Sequence, residues 1–206
     1  MKLYLVLVMV LISSVGCSTH RVEESQEERA SRVSVPMTIV IRPIKITKLN
    51  VKIFSVSKAR VARLSRLALV AAKIMNSAEF KRRVDASYYR GKPGFASSVL
   101  APAVVSRLIL EGNELRSGID YEWDMEIEVK LGGRGVLGWT YPSIKKFYLN
   151  SRYLDARSDS GIVGTICHEN SHKLGFGHDF KATARRPYSI PYVLGTICAQ
   201  LYSTFK

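Results

Sequence analysis

The chain is short of cysteine, of acid and of long apolar runs, and each shortage removes a class of protein. Three cysteines in 206 residues cannot staple a coreless scaffold, so a packed core has to hold the fold. The longest apolar run, Leu3 to Ile12, falls well below the roughly 20 residues that a membrane-spanning helix needs. No internal repeat or low-complexity tract is present, which excludes solenoids and fibrous or disordered chains. The glycines of Gly132-Gly133-Arg134-Gly135 lack the Gly-Lys-Ser/Thr ending that a phosphate loop carries into its helix. Asp and Glu number 17 against 31 Lys and Arg. With 47% hydrophobic residues, the chain reads as globular with a basic surface.

What is present is concentrated in eleven residues, His168-Glu169-Asn170-Ser171-His172-Lys173-Leu174-Gly175-Phe176-Gly177-His178. Residues four apart on a helix share a face, so His168 and His172 can aim their imidazoles at one cation. Glu169 then flanks that cation rather than ligating it, where a general base belongs. Gly175 supplies the positive φ that ends the helix and turns the chain. The turn delivers His178 as a third ligand. Three protein ligands leave a fourth tetrahedral position for water, the pattern of a catalytic rather than a structural zinc site. One Zn2+ is therefore expected.

This pattern, H-E-x-x-H-x-x-G-x-x-H, resembles the metzincin superfamily of zinc endopeptidases. The resemblance is specific over about residues 130–195. It implies His168, His172 and His178 as ligands and Glu169 as general base. It also implies an α+β, zincin-like single domain: a small twisted mixed sheet backed by helices, an active-site helix and a compact C-terminal subdomain. The family expects a methionine turn beneath the metal, yet no Met follows His178. The segment Tyr188-Ser189-Ile190-Pro191-Tyr192 resembles the Ser-Ile-Met-x-Tyr turn of astacin-like members, with Pro191 at the methionine position. Tyr192 or Tyr188 is then a candidate for the phenol that some members hold at the metal, with plain packing as the alternative for either. For Asp179 the reading is a hydrogen bond behind His178 or a turn cap.

The start of the chain carries a second signal. Met1-Lys2, the apolar run and Ser13-Ser14-Val15-Gly16-Cys17 describe an export signal. Because it ends in Gly-Cys it resembles a bacterial lipoprotein signal, which implies Cys17 acylated with fatty chains such as palmitate; plain secretion is the alternative. The organisation expected is a signal over residues 1–17, a polar tether over 18–36 and a peptidase domain over 37–206. The chain is then lipid-anchored in the bacterial cell envelope, at the outer membrane if there are two. Cys167 and Cys198 remain as a possible disulfide in that compartment, with two buried thiols as the alternative.

Along the domain, Met37 to Ile46 and Val51 to Val56 read as strands, the second a continuation or hairpin partner of the first. Ser57 caps a helix over Ala59 to Met75, Asn76-Ser77 breaks it, and Ala78 to Val84 adds a turn or two. After the loop Gly91-Lys92-Pro93-Gly94, Ser97 or Ser98 opens a helix through Glu111 that tolerates Pro102 only in its first turn. Trp123 to Leu131 alternates as a strand with a solvated acidic face. Lys145 to Leu149 is another strand, and Ser158 or Ser160 caps the zinc helix. Between those two strands, Val136, Leu137, Gly138 and Trp139 resemble the metzincin edge strand, which implies substrate binding by strand addition.

The expected activity is hydrolysis of extracytoplasmic proteins or peptides. A non-catalytic, zinc-stabilised envelope lipoprotein and a zinc amidase acting on cell-wall peptide are the alternatives. The basic residues, among them Arg60, Arg63, Arg66, Lys81-Arg82-Arg83 and Arg185-Arg186, suit an anionic envelope surface better than nucleic acid, which is not an expected partner.

Overall fold

Three helices of the computed structural model start on a serine whose hydroxyl accepts from the backbone N–H three residues on: Ser57, Ser77 and Ser158. The structure describes residues 45–46, 50–53, 57–90, 101–116, 118–123, 125–141, 143–144 and 146–206. The signal, the tether, the strand residues 37–44 and 54–56, the loop 91–94 and Ser97-Ser98 lie outside the described residues. The six α-helices among the described residues are α1 (Lys58–Met75), α2 (Ala78–Asp85), α3 (Pro102–Leu110), α4 (Ser151–Leu154), α5 (Asp159–Lys173) and α6 (Ile190–Phe205). The strands are β1 (Lys45–Ile46), β2 (Asn50–Ile53), β3 (Glu122–Trp123), β4 (Glu126–Lys130), β5 (Gly138–Thr140) and β6 (Lys146–Asn150). None of the described helices is long and apolar enough to cross a membrane.

The class is α+β, with a small mixed sheet in the order β2-β4-β6-β5. The first three strands are parallel, and β5 closes the row antiparallel to β6. β1 runs parallel to β3, just as β2 does to β4. The second segment is thus the continuation of the first and not its hairpin partner. α3 starts at Pro102, behind an Ala101 that offers no side-chain cap. A proline is favoured there because its missing N–H is not needed in the first turn.

Ile127, Val129, Phe147 and Leu149 bury one side of the sheet against Leu64, Leu67, Ile74, Ile162 and Ile166 of α1 and α5. Each such side chain contributes about 1.5–3 kcal/mol when taken out of water. The other face of β4 departs from the solvated one expected. Glu128 is only 8% exposed, because Lys146 of the adjacent strand reaches it at 2.6 Å. Basic residues expected as free surface charge are likewise paired. Arg63 and Arg66 both bind Asp159 at the start of α5, Arg60 binds Asp155, and Arg82 and Arg83 bind Glu79. These pairs tie basic residues to neighbouring acids, and those with Asp155 and Asp159 pin α1 to the head of the histidine-bearing helix.

That helix also meets α6 at a backbone-to-backbone crossing. A Cβ on Gly164 would stand 2.7 Å from the Gly195 carbonyl oxygen, and one on Gly195 would stand 2.7 Å from that of Gly164. Only glycines permit so close an approach. Cys167 and Cys198 sit at the same interface, 1% and 0% exposed. Of the two readings open for them, the structure has the unbridged one: both are free thiols, in contact with one another. Burial, reinforced by that contact, pushes the Cys198 thiol well up, so the thiolate needed for exchange is suppressed.

Candidate metal centre

The eleven-residue motif spans the C-terminal half of α5 and the turn after it. Gly175 takes φ +87°, and its N–H closes the helix on the His172 carbonyl at 3.0 Å. Leu115 packs over the turn, its own N–H bonding the Lys173 carbonyl at 2.9 Å. Beneath it the Lys173 ammonium and the Glu114 carboxylate pair at 2.9 Å, each side chain 3% exposed. The end of the helix is therefore held by a buried ion pair, a partner that the motif alone does not announce.

The turn brings His178 back onto the helix face. His168 Nε2 lies 3.1 Å from His178 Nε2 and 3.3 Å from His172 Nε2. Tetrahedral zinc–imidazole bonds of roughly 2.0–2.1 Å place their nitrogens about 3.3 Å apart. The three histidines thus lie close enough to hold one metal ion. Their far nitrogens are fixed by backbone carbonyls. His172 Nδ1 donates to Phe176 at 2.7 Å, and His178 Nδ1 to Asp179 at 3.0 Å. His168 bonds the Pro191 backbone, which lacks an N–H and so can only accept. Each Nε2 is left with its lone pair pointing inward, as in metal-binding imidazoles whose other nitrogen is held by a carbonyl.

The cluster fits a cation and not protons. Burial pushes both His168 and His172 down, the latter to about 4, and the neighbouring imidazoles push His168 further. Near neutral pH the His168 and His172 rings are uncharged, and the three converging imidazoles favour a metal ion between them.

Glu169 is 4% exposed, its Oε2 has no hydrogen-bond partner, and burial raises its pKa to about 8. A buried carboxyl without a partner is expensive unless it serves a site. It abuts β5: a side chain at Gly138 would come within 3.0 Å of Glu169 Cγ and Oε1. Tyr192, in the first turn of α6, packs edge-on against His168 and His178 with ring centroids 4.7 and 5.0 Å away. Tyr188 is not at the cluster. It is 48% exposed and lies against Arg90. The Asp179 carboxylate binds Thr183 and Arg185, so its contribution behind His178 comes through its backbone.

All of this opens on a cleft of about 650 Å³. One wall is α5 with the histidines and Glu169. The facing wall is Val136, Leu137, Gly138 and Trp139, followed by Thr140 and Tyr141. Trp139 turns its ring away to stack on Tyr148 at 5.0 Å, so the backbone borders the cleft there. Sequence reasoning missed the residue that shapes this wall. Asn150, 1% exposed, donates to the Gly133 and Val136 carbonyls and accepts from the Gly132 N–H. It also missed Arg157 and Arg186, both of which line the cleft. Comparisons with protein-family models, with curated proteins and with solved structures return no match.

Proposed function

We propose that this chain is a zinc-dependent metalloendopeptidase of the metzincin type, hydrolysing peptide bonds of extracytoplasmic proteins or peptides. The observation that carries this reading is a three-histidine cluster beside a buried carboxyl with no partner, opposite the free edge of a sheet. A structural metal site has no need of that carboxyl, and a sheet edge is a template for an extended peptide. His168, His172 and His178 would hold the ion. Zinc supplies Lewis acidity and brings the pKa of water to roughly 7.

The remaining chemistry belongs to the protein's own groups. Backbone groups of residues 136–140 align the peptide so that its scissile amide lies beside Glu169. Glu169, beside the three histidines, takes the proton of the attacking water and passes it to the leaving amine. Tyr192, held against His168 and His178, is the group on hand to donate to the carbonyl oxygen as it gains charge. The burial of Glu169 strengthens its electrostatic interactions.

We further propose, from the sequence of residues 1–17, that Cys17 carries the lipid that tethers the domain in the cell envelope. The test is hydrolysis of a broad quenched-fluorescent peptide library by the wild type and by Glu169→Ala, with zinc assayed in both. Cleavage by the wild type alone, with zinc retained in the variant, is expected. Equal cleavage by both, or none by a zinc-loaded wild type, would overturn the reading.

A further inference from the structure

Two arginines stand apart from the ion-paired basic residues of the fold. Arg157 and Arg186 line the cleft, and each keeps a buried guanidinium nitrogen with no hydrogen-bond partner, Nη1 in one and Nε in the other. Arg186 is partly accounted for, since its guanidinium lies over the Tyr192 ring at 5.1 Å. Arg157 is not. Among the described residues no carboxylate pairs with its side chain, and burial alone pushes its pKa down, with no acid to raise it. A small cavity of about 10 Å³ behind it has room for roughly one water. Such a water would satisfy an N–H and leave the charge uncompensated. A half-buried cation without a counter-ion is costly, and it is retained where a ligand brings the opposite charge.

The surroundings leave space for that ligand. Gly161 lies against the guanidinium, where a Cβ would come 2.9 Å from Arg157 Nε. Thr165 borders the small cavity with Arg157, and Gly164, Thr196 and Ala199 also line the cleft, so its lining here includes several small side chains. Leu137 borders both the cleft and the small cavity with Arg157, whereas Gly138 abuts Glu169. The arginine therefore sits about one residue along the strand from the proposed reaction centre, toward the start of β5. A peptide added antiparallel to β5 runs the other way, and its C-terminal side passes Arg157.

We propose that Arg157 forms a carboxylate subsite, taking an acidic side chain or a free C-terminal carboxylate on the C-terminal side of the scissile amide. The guanidinium fork suits a carboxylate, and one charge-assisted contact of this kind is worth about tenfold or more in affinity. This rests on the reading of the cleft as a peptide site. The experiment is built to separate the two.

Binding of fluorescein-labelled peptide pools to the zinc-loaded full chain carrying Glu169→Gln is measured by anisotropy. The pools contain Asp and Glu or their amides Asn and Gln, each with a free or an amidated C-terminus. The readout is the ratio of affinities for acidic and amide pools within one protein, which cancels differences in folded fraction. We expect a ratio of about 10 or more, collapsing toward one in Arg157→Gln and partly kept in Arg157→Lys. Which pool carries the ratio identifies the side chain or the terminus as the source. A ratio near one, or one that survives Arg157→Gln, overturns the proposal. Cleavage of the same pools by the wild type is read separately: its absence would count against the peptidase, while the binding ratio still decides the subsite.

Discussion

Replacing Gly195 by alanine sets two effects of known size against each other beside the histidine cluster. In mid-helix, alanine is favoured over glycine by about 1 kcal/mol. At this position the new Cβ would stand 2.7 Å from the Gly164 carbonyl oxygen and 3.2 Å from His168 Cβ, whereas ordinary contact begins near 3.4 Å. The obstacle at 2.7 Å is backbone, so α5 and α6 have to part by several tenths of an ångström. Overpacking of this kind costs about 1–3 kcal/mol. The clash is the larger effect over most of that range, and Gly195→Ala should lose up to about 2 kcal/mol in urea unfolding. Because the second contact is the carbon that carries a ligand imidazole, zinc affinity should fall as well, by about 10- to 100-fold, in titrations against a competing chelator. Gly133→Ala is the control, since nothing lies within 4 Å of its Cβ position. A Gly195→Ala protein that is more stable than the wild type and binds zinc equally well would refute the close crossing of α5 and α6.

Three further outcomes follow from the same geometry. Lys173→Met leaves Glu114 charged and buried, and should cost about 3–5 kcal/mol in urea unfolding; combining it with Glu114→Leu should recover most of that loss. In chelator-treated protein, burial raises Glu169 from 4.5 to about 8, so the folded state favours the protonated carboxyl. The stability of the wild type relative to Glu169→Gln should be greatest below about pH 4.5 and decline as pH rises through 8, by at most about 5 kcal/mol. His168 and His172 shift the opposite way but are common to both proteins and cancel in the difference. Tyr192→Phe should lower turnover by about 10²-fold if its hydroxyl serves the developing oxyanion, while Tyr188→Phe, away from the cluster, should not.

Local chemistry was the legible part of the sequence. Ser57 and Ser158 stand as caps where their hydroxyls predict them, Asn76-Ser77 breaks α1 from α2, and Gly175 turns the chain with a positive φ. These signals act within a few residues, so one chain carries them in full. The histidine cluster was legible for the same reason, because i, i+4 spacing and one turn bring three rings together. What escaped was pairing across the chain. Nothing local tells that β2 lies beside β4, that Lys146 covers Glu128, or that Arg63 and Arg66 reach Asp159. The pairing state of the two cysteines was left open on a similar point. Proximity of Cys167 and Cys198 was foreseen, but two thiols hydrogen-bonded in an apolar interface satisfy it without a bridge. Gly164, Gly195 and Ala199, which let two helices approach closely, drew no reading from the sequence, and neither did Asn150.

The most direct test of the account is to titrate zinc back into the chelated full chain while peptide hydrolysis is followed. Activity should rise linearly, stop at one equivalent of zinc, and be absent throughout the titration in His178→Ala. Hydrolysis that persists in the chelated protein, or that ignores the loss of His178, would contradict it.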